Sequence, residues 1–315
     1  VELRSSPWAR GPRAWSVAAL SALAGVWACV GLAGTAAATW SIVAVDPDSG
    51  LVGAAIASCV PASVLGDPGQ TLVPVVLVPG RGAGVSQGTI DPEAPPRLRS
   101  LLADGATASE VIDTLLADDE QASVRQYGAV TLGGGPGDDG PGPTADVFTG
   151  DDVEDETAAA IGDVVSVQGG LLVDRDLADR ALDAYVAARQ AGRSLDRALA
   201  DALVAGSRAG GDRRCDEQTA LFAHLAVAEP DDDGLRPSLL LTVTVDEGDG
   251  QNPVVLLDRA LDDGRVGWVD AGRDEPAGVS RTLVFGIGVA LTVAAVMVIR
   301  RGMGSPAGRR RSPGL

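Results

Sequence analysis

The order of the predicted elements makes this chain a layered α+β domain. Three observations carry that reading. Strand-like segments come in runs, interrupted twice by helices that arrive in pairs. Grouped helices between runs of strands build antiparallel sheets with helical cover, whereas a parallel sheet needs strands and helices in strict alternation. Aromatic residues make up only 3% of the chain, so the core must be assembled from Val, Leu, Ile and Ala. With the apolar terminal segments set aside, about 230 residues remain, enough for one sizeable core.

The first strand runs from Thr39 to Val45 (TWSIVAV), apolar on both faces as in a strand buried on both sides. Asp46 to Gly50 (DPDSG) is a turn, because Pro47 presets φ and Gly50 supplies φ > 0. Leu51 to Ser58 returns as the second strand of a hairpin, and Leu72 to Val78 and Gly82 to Gln87 continue the strand pattern. Asp91-Pro92 caps a helix that runs to about Ala103. Thr107 to Glu110 (TASE) opens the next helix, with Val111, Ile112, Leu115 and Leu116 at helical spacing. Gln126 to Leu132 and Ala145 to Thr149 are strands joined by the glycine-rich loop Gly133 to Gly142. That loop has no Gly-Lys-Ser/Thr ending and contains Asp138 and Asp139, so it is a hairpin connection and not a phosphate cradle. Val164 to Gln168 is a short strand, Arg175 to Ala191 and Ser194 to Ala209 form a helical pair, and Thr219 to Val227 and Leu239 to Val245 are strands. Pro253 to Leu261 is a final short helix, followed by a Pro-, Gly- and Asp-rich linker from Asp262 to Gly278.

Both ends of the chain read as membrane-directed. Arg4, Arg10 and Arg13 precede an apolar stretch from Ala14 to Ala33 and a small-residue site at Ala36-x-Ala38. This is the pattern of an export signal, residues 1–38, cut after Ala38. A lipoprotein cut before Cys29 is the competing reading, and Trp27 two residues earlier argues against it. Residues 282–299 hold no charge and are followed by Arg300, Arg301 and a cluster at 309–311. Eighteen apolar residues just cross a bilayer, and the basic flank puts the tail 300–315 in the cytoplasm. The expected organisation is a single-pass protein of the cell membrane: an extracellular domain 39–261, a juxtamembrane linker 262–281, an anchor 282–299 and a cytoplasmic tail.

Between Thr39 and Arg281 stand 17 arginines against 42 Asp and Glu, a formal net charge of −25. Such a surface repels nucleic acid and anionic lipid, so no nucleic-acid partner is expected. The acidic run from Asp151 to Glu156 lacks the spacing of an EF-hand loop. All 25 basic residues of the chain are arginine, which excludes a catalytic lysine. His224 is the only histidine, and beyond the signal it is accompanied only by Cys59 and Cys215, too few for a zinc cluster. It lies in a strand without a nucleophile elbow, so it reads as a structural histidine. An enzyme built here needs a base that is not histidine, and no cofactor is called for. Cutting after Ala38 would provide that base: Thr39 would become N-terminal, its hydroxyl beside an α-amine of pKa about 7.7–8.0. Cys59 and Cys215 are an even pair, free to form a disulfide in an exported protein. The segment Ala209 to Cys215 (AGGDRRC) reads either as a helix C-cap with solvated charges, or as a functional turn. In the functional reading an arginine binds a substrate carboxylate or an oxyanion, and Asp212 holds that arginine or the Thr39 amine.

The ordered set of segments Thr39 to Gly50 (TWSIVAVDPDSG), Gly53 to Cys59 (GAAIASC), Gly82 to Gln87 (GAGVSQ), Arg125 to Gly128 (RQYG), Phe148 to Gly150 (FTG), Val167 to Gly169 (VQG) and Gly211 to Cys215 (GDRRC) resembles the domain-of-unknown-function family 1028. The resemblance covers about residues 39 to 261. It implies a four-layer αββα sandwich similar to the N-terminal nucleophile (Ntn) hydrolases. It implies Thr39 at the nucleophile position, as in an amidohydrolase whose catalytic centre would combine Thr39 with Asp212 and with Arg214 or Arg213, the arginine stabilising the oxyanion or binding a substrate carboxylate. Ser41, Ser58, Gln87 and Arg213 are the matching substrate-binding positions. It favours pairing of Cys59 with Cys215, because an exported branch of the family carries cysteine there. One position departs: the family often reads Gln-Gly-Asn where this chain has Gln168-Gly169-Gly170. The expected partner is a small-molecule or peptide amide, and self-association into a homo-oligomer is left open. The rival reading is a non-catalytic extracellular binding module on the same fold.

Overall fold

The computed structural model describes residues 39–61, 74–134, 141–153, 156–233 and 236–270. The expected signal (1–38), anchor (282–299) and tail (300–315) lie outside the described residues. Among the described residues no helix is long and apolar enough to cross a membrane.

The domain is mixed α+β, with two sheets. Strands β1 (Thr39–Asp46) and β2 (Leu51–Ser58) form the expected hairpin, in register from Thr39↔Ser58 to Asp46↔Leu51. Its turn closes through the Gly50 N–H donating to the Asp46 carbonyl at 2.8 Å, with Gly50 at φ 73°. Strands β3 (Val75–Val78), β4 (Gly82–Gly88), β5 (Arg125–Thr131) and β6 (Thr144–Thr149) make a four-stranded antiparallel sheet in chain order. The other sheet adds β7 (Ala158–Gly162), β8 (Val165–Gly170), β9 (Phe222–Ala228), β10 (Leu239–Thr244) and β11 (Gly267–Asp270). Its order is β11-β10-β9-β2-β1-β8-β7.

Helices α1 (Ala94–Ala103) and α2 (Ala108–Asp118) form the first pair, and α3 (Leu177–Gln190) and α4 (Leu195–Arg208) the second. The last helix is α5 (Pro253–Asp262), capped by Asn252, whose side chain accepts from the N–H groups of Val254 and Val255. At the start of α2, Thr107 and Glu110 exchange both bonds of a capping box. The start of α1 differs from expectation. Glu93 occupies the cap without a side-chain bond, while Asp91 Oδ1 accepts from Glu93 N–H at 2.9 Å in the turn before the helix.

Strand periodicity sorts the core into three parts. Trp40, Ile42 and Ala44 of β1 pack with Leu177, Leu195, Leu199, Leu203 and Leu257 of α3, α4 and α5. Val43 and Val45 point the other way and meet Val85 of β4 and Val130 of β5 between the two sheets. On the far face of the four-stranded sheet, Tyr127 and Ala129 pack against Leu98 and Leu102 of α1 and Val111 and Leu115 of α2.

Three elements depart from the sequence reading. Strand β7 fills a stretch rich in alanine, whose small side chains carry no strand signal. A kinked 3₁₀ segment (Arg213–Gln218) stands where a helix C-cap with solvated charges or a functional turn was read, without a helical element. The stretch read as linker from Asp262 contributes β11, which pairs in parallel with β10.

Candidate active site

Thr39 begins β1, between β2 and β8, and is 3% exposed. Its odd position on the strand turns its side chain to the inter-sheet face, with Ser41, Val43 and Val45. At this end of the inter-sheet space the apolar core gives way to hydroxyls and amides. Thr39 Oγ1 donates to Ser58 Oγ at 3.1 Å, across the β1–β2 rung. Ser41 Oγ donates to Gln87 Oε1 of β4 at 2.6 Å and accepts from Gln168 Nε2 of β8 at 2.5 Å. Gln87 Nε2 reaches the Thr39 carbonyl (3.3 Å) and Gln126 Oε1 (3.0 Å). Gln126 Nε2 donates to Thr149 Oγ1 and to the Gly169 carbonyl, each at 3.0 Å. Ser166 Oγ donates to Gln168 Oε1 at 2.7 Å. The three amides thus tie β1 and β8 of one sheet to β4, β5 and β6 of the other. Buried polar atoms that find partners rigidify what they join, so the backbone of Thr39 is held from both sheets.

The quoted motifs acquire physical reasons here. In Arg125 to Gly128, alternate residues face opposite ways. Gln126 enters the site, while Tyr127 enters the core under α1 and α2. A Cβ on Gly128 would meet Gln168 Oε1 at 2.3 Å, so only glycine lets the Gln168 amide cross between the sheets. Arg125 and Asp119 form a buried ion pair at 2.9 Å, and Tyr127 Oη donates to Asp119 Oδ2 at 2.7 Å. Burial pushes the Tyr127 hydroxyl well above its ordinary value, and the Asp119 contact adds to that. Burial alone would raise the Asp119 carboxyl, but bonds from Tyr127, the Gln121 N–H and Arg125 outweigh it and hold it low.

The 211–219 turn lies across the ends of the strands that flank Thr39. Asp212, fully buried, accepts from Cys59 N–H just beyond β2 (2.7 Å) and forms a β-bridge with Leu172 just beyond β8. Its carboxylate also holds Arg214 through Nε at 3.1 Å and Nη2 at 2.8 Å. A disulfide joins Cys59 to Cys215, with Cα atoms 5.6 Å apart, and staples the turn to the end of β2. Among the described residues, four other than glycine have positive φ: Glu156, Leu171, Asp216 and Thr219. Asp216 and Thr219 lie in this turn; Leu171 adjoins it through Arg213 N–H to Leu171 O, and Glu156 bonds the neighbouring Leu172 N–H. Backbone strain of about 1–3 kcal/mol per residue is held here by the surrounding bonds, as at sites where geometry matters more than stability. Arg213 is exposed on the same turn. Arg175, bonded to Glu156, holds that carboxyl below its ordinary value, and Arg213 adds to the effect.

The structure therefore brings Thr39, Ser41, Ser58 and Gln87 together and sets Asp212, Arg213 and Arg214 on the turn above them. His224 is apart: it is buried in β9, its Nδ1 lies 2.7 Å from Thr242 Oγ1, and burial lowers its pKa to about 4. Gln126, Gln168, Ser166 and Thr149 were not read as site residues. Strand parity, which puts Gln168 and Ser166 on the face opposite Val165 and Val167, is the signal that could have found them.

A family model described as a family of unknown function (DUF1028) matches residues 39–254, beginning at Thr39 itself. The crystal structure of protein SPO2555 from Silicibacter pomeroyi, which bears the same DUF1028 family model, is similar with a TM-score of 0.55. The two chains are 24% identical over 73% of this chain and 90% of that one, which shows a shared fold. No curated protein matches the chain.

Proposed function

The chain belongs to the family of unknown function DUF1028, and from that premise we propose that it is an exported, membrane-anchored amidohydrolase of the Ntn type. The observation that carries this reading is Thr39: it starts both the family match and β1, an interior strand of the larger sheet, with its hydroxyl bonded to Ser58 at 3.1 Å. The three cores, between helices and sheet, sheet and sheet, and sheet and helices, support an αββα arrangement of the Ntn-hydrolase kind.

In the proposed cycle, cleavage after Ala38 frees the α-amine of Thr39. That amine takes the hydroxyl proton as Oγ1 attacks the carbonyl carbon of a substrate amide. The proton passes to the leaving nitrogen, the C–N bond breaks, and the acyl group stays on Oγ1 as an ester. Water, deprotonated by the same amine, hydrolyses the ester and restores Thr39. Arg214, oriented by Asp212, supplies positive charge toward the oxyanion, and Arg213 meets a carboxylate on the substrate. The segment 282–299 anchors the enzyme, with its domain outside the cell.

Intact-mass and N-terminal analysis of the exported protein tests this. The expected mature chain begins at Thr39, and a different start overturns the mechanism. A non-catalytic binding module is the second reading. It is favoured by the mutual satisfaction of Ser41, Gln87, Gln126 and Gln168, which is also how a purely structural network looks. Turnover of any amide that Thr39→Ala abolishes decides against it.

A further inference from the structure

A single row of paired residues crosses the seven-stranded sheet at the candidate site. Asp270 of β11 pairs with Thr244 of β10, Thr244 with Phe222 of β9, Phe222 with Ser58 of β2, and Ser58 with Thr39. Strand β11 is parallel to β10, so it runs toward this row and ends on it at Asp270. Four strand spacings of about 4.8 Å put Asp270 roughly 19 Å from Thr39. The loops that follow β2 and β10 leave from the same end. There the Gln218 side chain of the 211–219 turn donates to the carbonyls of Asp246 and Gln251, at 3.0 and 3.2 Å. The opposite end of the sheet carries the turn from Asp46 to Gly50, where β1 passes into β2. Strand β1 has eight residues. At about 3.3 Å per residue the two ends lie roughly 23 Å apart.

Only residues 271–281 separate Asp270 from the apolar segment 282–299. Even a fully extended chain covers at most about 40 Å from residue 270 to residue 282. We propose that the anchored domain holds the Thr39 end of its seven-stranded sheet toward the bilayer, so that the candidate site faces the membrane surface. The proposal rests on the anchor at 282–299 and does not need Thr39 to be a nucleophile. The chain leaves the domain at the site end. Turning the opposite end to the lipid would use more than half of the tether's reach on the way back along the sheet, about 23 Å of about 40 Å. Charge sets how close this end comes. Its loops expose Asp216, Glu217, Asp246, Glu247 and Asp249 around Arg213. Anionic headgroups repel this acidic rim, so the domain faces the bilayer without lying on it. Access to Thr39 is then from the gap between domain and lipid, and the anchored chain serves molecules within about 40 Å of the membrane.

The test uses the full exported chain reconstituted in phosphatidylcholine vesicles, with an acceptor dye on a fraction of the headgroups. Two variants each add one cysteine for a donor dye on an exposed loop: Glu247→Cys at the site end and Asp48→Cys in the turn at the opposite end. Energy transfer to the headgroups reads the height of each label. The label at residue 247 should stand closer to the bilayer by about 20 Å, the length of the sheet. Equal heights, or a label at residue 48 that is nearer, overturn the orientation. Inserting about twenty Gly-Ser residues after Gly278 lengthens the tether well past the sheet and should bring the two heights together. A difference that survives the insertion overturns the tether as its cause. A chain that does not float with the vesicles overturns the anchor, and the proposal with it. None of these readings depends on turnover, so a failure of Thr39 as nucleophile is told apart from a failure of the orientation.

Discussion

At one end of the space between the sheets, Val43, Val45, Val85 and Val130 fill the gap with apolar contact. At the other, the same strands β1, β4 and β5 bring Ser41, Gln87 and Gln126 into a hydrogen-bonded cluster. The backbone and the strand parity are common to both ends; only side-chain chemistry differs. The apolar end tolerates change in proportion to the surface it buries. The polar end is all-or-none, because each amide satisfies several partners and its loss strands them in a dry interior. On the proposed reading, the fold accepts this exposure to failure at one end, and crowds its positive-φ residues around the same place, because that end serves catalysis.

The sharpest test of that contrast is Gln168→Leu against Val43→Ala. Leucine at residue 168 removes the partner of Ser166 Oγ and two bonds to Ser41. Urea unfolding should show a loss of about 3–5 kcal/mol, from two or more stranded groups at 1–3 kcal/mol each. Val43→Ala should lose about 2 kcal/mol, from two methyl groups and a partly collapsed cavity. Equal losses would mean that the cluster behaves as ordinary packing.

A covalent staple holds the polar end alone. Replacing both Cys59 and Cys215 by alanine opens a link spanning 156 residues of sequence. The cost should be about 3–4 kcal/mol in thermal or chemical unfolding. Protection of backbone amides against hydrogen exchange should fall first in the 211–219 turn and in Cys59. Uniform loss across the sheet would show that the disulfide restrains only the unfolded chain.

His224 lies on the same inter-sheet face, on the rung of Ile56 and Ser41, and probes how dry that rung is. Its folded pKa of about 4 lies below the ordinary 6.5, because burial disfavours the charged ring. A depressed histidine contributes stability that is present above pH 6.5 and lost as pH falls toward 4, because the unfolded chain binds the proton first. The loss should approach about 3 kcal/mol at the low end. The difference between native protein and His224→Asn, followed across this range, isolates that share from the titration of the carboxylates. A flat difference would mean that water reaches the ring.

Much of this contrast was readable before the structure, and the remainder was hidden for a definite reason. The alternation in Thr39 to Val45 assigns Thr39 and Ser41 to one face and Trp40 and Ile42 to the other, and the capping box at Thr107 is local in the chain. The meeting of Ser41 with Gln168 spans 127 positions of sequence, and that of Gln87 with Gln126 spans 39. Parity says which way a side chain points, but not which strand lies across the gap. The kinked segment after Asp212 was hidden for a different reason. Its positive-φ residues Asp216 and Thr219 are conformations that tertiary contacts impose and that the residues themselves disfavour.

The smallest effect should come from Arg213, and it separates the two arginines that sequence left equivalent. Arg214 is bound to the carboxylate of fully buried Asp212, so Arg214→Ala strips a buried charge of its partner and should lower stability together with any activity. Arg213 is exposed, and Arg213→Ala should change unfolding free energy by less than about 0.5 kcal/mol. On the proposed reading its effect is confined to substrates. KM for amides carrying a carboxylate should rise by about 5-fold, since an exposed charged contact is worth at most roughly 1 kcal/mol, while neutral amides are turned over as before. A parallel rise for neutral amides would assign Arg213 to shaping the turn and leave the recognition of charge to Arg214.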